Sequence, residues 1–65
     1  MYYVVIDKQA ASKDTQYTDF NFQDVAAPKR AVWHSAENAA FALNCYLREH
    51  TCNFDAGRFD IREDN

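Results

Sequence analysis

One segment of this 65-residue chain has the pattern of an amphipathic helix, and only one. At about 100° per residue, Ala36, Ala39, Ala40, Leu43, Tyr46 and Leu47 fall in a single broad stripe, with Glu37, Asn38, Asn44, Arg48 and Glu49 on the opposite side. Ser35 is suited to accept an orphan amide of the first turn, Glu37 complements the positive end of the helix dipole, and Arg48 complements the negative end. The spacing predicts a helix over 35–50. One helix covers one face of a sheet and no more. The strands elsewhere must therefore form a sheet packed on the helix by a single side.

The remaining sequence reads as strands and loops. Residues 2–6, Tyr-Tyr-Val-Val-Ile, are aromatic and β-branched on both faces, which suits a central strand. Lys8 to Lys13 is polar and small, a connecting loop. Residues 17–22 alternate, with Thr18, Phe20 and Phe22 on one face and Tyr17, Asp19 and Asn21 on the other. They complete a hairpin with the first strand. Pro28 places a loop over 24–29, and 30–34 is read as a short third strand. Residues 58–62 alternate again, Phe59 and Ile61 inward, Arg58, Asp60 and Arg62 outward. The expected fold is a single α+β domain spanning 1–65, a small antiparallel sheet of three or four strands with one helix on one face.

A domain this small is marginally stable. Five Phe, four Tyr and one Trp are available to build an efficient core, and the alternative is apolar surface buried against a partner. Net charge is −3, from seven Lys and Arg against ten Asp and Glu, which argues against binding duplex nucleic acid or an anionic membrane. No apolar run is long enough to span a bilayer, and the N-terminus has no basic segment of the kind that opens a signal peptide. With two cysteines and no Asn-glycosylation motif, the expected location is the cytoplasm.

The chemistry-bearing residues form no known constellation. His34, Cys45, His50 and Cys52 are zinc-ligand types, but their spacing matches no zinc site, and Cys45 and His50 diverge on the helix. Cys45 and Cys52, both helical, would stand about 10 Å apart, too far for a disulfide. His50 beside Cys52 has no third group to orient it as a base, and Asp19, Asp24, Asp55 and Asp60 lie where carboxylates ordinarily face water. No catalytic residue, metal or cofactor is assigned.

Two binding surfaces are expected instead. Phe41 and Cys45 sit four residues apart on the polar side of the helix, where an aromatic has no place in the core pattern. With Ala42, and rimmed by Asn38, Arg48 and Glu49, they make a candidate interface, an apolar centre with a polar border. The second candidate is the sheet face turned away from the helix, carrying Tyr17, Asp19, Asn21, Arg58, Asp60 and Arg62 together with one side of the first strand.

In layout alone, an acidic sheet-and-helix chain without catalytic motifs resembles the small phage and mobile-element proteins that occlude a host machine, anti-CRISPR-type inhibitors among them. The resemblance implies a small non-enzymatic protein-binding module acting by surface contact. A structural or regulatory homodimer without its own chemistry is the second reading. The third is a single-stranded nucleic-acid binder using the aromatics with Lys29, Arg30, Arg58 and Arg62.

Overall fold

The computed structural model describes residues 1–50 and 56–64. Four antiparallel strands form one sheet: β1 (Tyr2–Asp7), β2 (Tyr17–Thr18), β3 (Asp24–Val25) and β4 (Phe59–Asp64), in the order β3-β2-β1-β4. One helix, Ala36–His50, packs on one face, so the architecture is the α+β layer pair that a single helix dictates. Ser35 accepts from the Asn38 amide through its hydroxyl at 3.0 Å, the cap expected of it.

β1 is central. It pairs with β4 along its whole length, Val5 opposite Ile61 and Asp7 opposite Phe59, and with β2 at Ile6 and Tyr17. Alternation then sorts its side chains. Val5 joins Phe22, Ala39, Leu43, Leu47 and Phe59 in the core beneath the helix, with Trp33, Ala42, Tyr46 and Ile61 packed around them. Tyr2, Val4 and Ile6 face the other way, and Val4 and Ile6 are nevertheless buried. The loop after β1 runs beside Ile6 and Arg62, and the Arg30 guanidinium lies over the Tyr17 ring. The face away from the helix is therefore covered in part rather than open.

Three strand assignments differ from the sequence pattern. The alternation over 17–22 ends after Thr18, because the Asp19 carboxylate accepts from the amides of Asn21 and Gln23 at 2.9 and 3.0 Å and folds the chain into a turn. β3 then forms within the segment expected as a loop, paired to β2 through Tyr17–Val25 and Thr18–Asp24. Residues 30–34 form no strand. Trp33 makes an isolated bridge to Tyr3, two hydrogen bonds of 2.8 Å that end there.

Candidate functional site

The turn between β2 and β3 is held by Asp19 and leaves two phenylalanines in opposite situations. Phe22 takes a left-handed backbone conformation, φ 60°, and its ring is buried. It stacks on Trp33 at 5.9 Å and meets Tyr46 at 5.1 Å and Phe59 at 6.3 Å. Phe20 stands out from the turn at 65% exposure, touching Trp33 edge-on at 5.1 Å. The alternation over 17–22 predicts Phe20 inward with Phe22. The Asp19 turn breaks that alternation, so the two rings separate.

Across from this turn lies the side of the helix that carries Phe41, which is 72% exposed. Between the two runs an open groove of about 500 Å³. One wall is the turn, Phe20 to Gln23; the other is Phe41, Ala42, Cys45, Tyr46 and Glu49. Phe41, Ala42 and Cys45 thus share one surface, as their helical spacing predicts. Asn38 and Arg48 are exposed on the same helix but do not line the groove. Phe20, Phe22, Asn21 and Gln23 complete it, and the helix pattern gave no sign of them. The only hint was Asp19, whose tendency to cap its own following amides marks a turn.

The second candidate surface is smaller than expected. Tyr17, Asp60 and Arg62 share the sheet face with Tyr2, Val4 and Ile6, as register requires. Asp19 and Asn21 belong to the turn, not to that face. Arg58 lies in the 3-10 turn Ala56–Arg58 before β4, and its side chain binds Asp7. Each arginine proposed for phosphate contact is tied to a carboxylate of its own chain: Arg30 to Asp64 at 3.0 Å, Arg58 to Asp7 at 2.9 Å and Arg62 to Asp60 at 2.9 Å.

Asp7 is the most deeply buried of these carboxylates, its side chain fully shielded from solvent. It accepts two bonds from Arg58 and one from the Gln9 amide. The Arg58 bonds hold its carboxyl at about 2, against the opposing effect of burial. Asp24, an exposed residue on β3, has its carboxyl pushed up to about 6, first by desolvation where it meets the sheet and then by the hydrogen bond it shares with Asp7. Two carboxyls with separated affinities for protons are thus coupled to each other, and Arg58 lowers both. Sequence gave no reason to pair Asp7 with Asp24, since they meet only through strand order.

Of the metal-ligand types, His34 packs against Tyr2 with ring centroids 5.7 Å apart, whereas Cys45 is a half-buried free thiol in the groove. Cys52, Asp55 and the side chain of His50 lie outside what is described. Among the described residues no group of three His, Cys, Asp or Glu side chains is placed to hold a metal ion, and no helix is long and apolar enough to cross a membrane. No protein family, curated protein or solved structure matches this chain.

Proposed function

We propose that this chain is a non-enzymatic protein-binding module whose contact surface is the groove between the Asp19 turn and the helix. One observation carries the reading: Phe20 and Phe41, from separate elements, are both largely exposed and line the same groove. Large apolar side chains gathered in one concave surface are what protein interfaces use as anchors. Glu49 at the groove and the net charge of −3 favour a partner segment that inserts an apolar side chain flanked by Lys or Arg. Blocking a larger machine by occlusion, as in the phage inhibitors that the layout resembles, requires such a surface and no reaction chemistry. The internal pairing of Arg30, Arg58 and Arg62 lowers the charge they offer a phosphate, which weighs against the nucleic-acid reading.

The test is a random-peptide display library selected on the wild-type chain. Enriched peptides should carry an apolar residue beside Lys or Arg. They should bind Phe41→Ala and Phe20→Ala weaker by about 2 kcal/mol. Peptides that bind both variants as well as wild type would place the contact surface elsewhere.

A further inference from the structure

The two edges of the sheet are unlike. β3 ends one side with two residues, whereas β4 ends the other with six, paired to β1 along one edge only among the described residues. A strand of that length with an unpaired edge is a template for another strand. Charge is one of the devices that guard an edge, and charge of one sign repels every copy of itself. β4 carries both signs. Asp60 and Arg62 share a face on either side of Ile61, close enough to bond each other at 2.9 Å.

Independently of the groove, we propose that β4 pairs antiparallel with β4 of a second copy, with Ile61 facing its own counterpart. The argument is one of register. Two identical edges pair antiparallel only about a two-fold axis perpendicular to the sheet, so the axis passes through one residue, which meets itself. Centred on Asp60, the strands set that carboxylate against its copy. Centred on Arg62, they set guanidinium against guanidinium and Asp60 against Asp64. Centred on Phe59 or Glu63, they leave much of the strand unpaired. Only the Ile61 register aligns nearly the full strand and places Asp60 opposite Arg62 at both ends, with Phe59 opposite Glu63. Ile61 is half-buried against its own core, and its copy would cover more of it. The product is one continuous sheet with both helices on the same side. The Asp19 turn follows β2 at the far side of each sheet, so both grooves stay open.

Sedimentation velocity over a concentration series tests this with charge reversals. The wild type should dimerise. D60R and R62D, each alone, should self-associate about tenfold more weakly or worse, since both end pairs become repulsive. An equimolar mixture of D60R and R62D should form a one-to-one heterodimer, because the reversed charges then face their opposites. Restoring an internal ion pair cannot produce that result. Circular dichroism checks that each variant is folded, which the exposure of this pair favours. Should a single reversal fail to fold, the double variant D60R/R62D carries the test. It should self-associate like wild type yet refuse to pair with it. A wild type that stays monomeric into the millimolar range overturns the proposal, as do reversals that dimerise unchanged.

Discussion

Asp24→Asn is expected to make this domain more stable at neutral pH. Two opposite linkages meet at Asp7 and Asp24. The folded Asp24 carboxyl is raised from 3.8 to about 6, so above pH 6 the folded state holds a charge it disfavours, and stability grows as pH falls from 6 toward 4. The Asp7 carboxyl is lowered from 3.8 to about 2, so its contribution is complete above pH 4 and is lost as pH falls toward 2. The Asp7 shift corresponds to about 2 kcal/mol, with the side chain fully buried. Asp24 is exposed as a residue, and after discounting for solvent screening about 1 kcal/mol remains.

Stability should therefore peak near pH 4 to 5 instead of at neutrality. Asparagine keeps a donor toward the Asp7 carboxylate and cannot ionise. It should add about 1 kcal/mol at pH 7, which in a domain of this size moves the thermal midpoint by about 4–8 °C. At pH 4 the variant and the wild type should converge. Thermal melts followed by circular dichroism at pH 7, 5.5 and 4 measure all three points. A wild type equally stable at pH 7 and 4.5, together with a variant less stable at both, would refute the coupling of the two carboxyls.

Arg58→Ala should cost about 3–5 kcal/mol at pH 7, because it leaves the buried Asp7 carboxylate without its cation, and denaturant melts should show the loss shrinking toward pH 3. Leu43→Ala should cost about 2–5 kcal/mol by opening the core beneath the helix, comparable to the whole stability of a small domain; a loss under about 1 kcal/mol in urea unfolding would contradict its place there.

The elements legible in the sequence are those whose signal is local and long. The helix stripe, opened by its Ser35 cap, and the six-residue strands β1 and β4 each repeat a pattern over several residues, and these three elements stand where periodicity puts them. β3 is two residues long, too short for any alternation to register, and exists because β2 lies beside it. The third strand expected at 30–34 failed for the converse reason. Val32 and Trp33 are strand-forming types, but only Trp33 pairs its backbone with β1, at Tyr3. Half of the groove was legible as well. Phe41 was conspicuous because the helical wheel has a polar side on which it is misplaced. Phe20 was hidden because a two-residue period assigns it to the core.

What moved Phe20 outward is also what makes the groove a built feature. A left-handed backbone at a bulky aromatic costs of the order of 1 kcal/mol or more, and Phe22 has it at φ 60°. Two local effects sustain it. The Asp19 carboxylate takes the amides on both sides of Phe22, and the turn from Asp19 to Phe22 is closed by the Phe22 amide donating to the Asp19 carbonyl at 3.0 Å. The ring itself is buried among Trp33, Tyr46 and Phe59, a gain of about 1.5–3 kcal/mol before the ring contacts are counted. An unbroken strand would have buried Phe20 with Phe22 and left no aromatic opposite Phe41. The turn gives up one buried phenylalanine and accepts a strained backbone, and both costs fall at the place where two exposed rings come to share a groove.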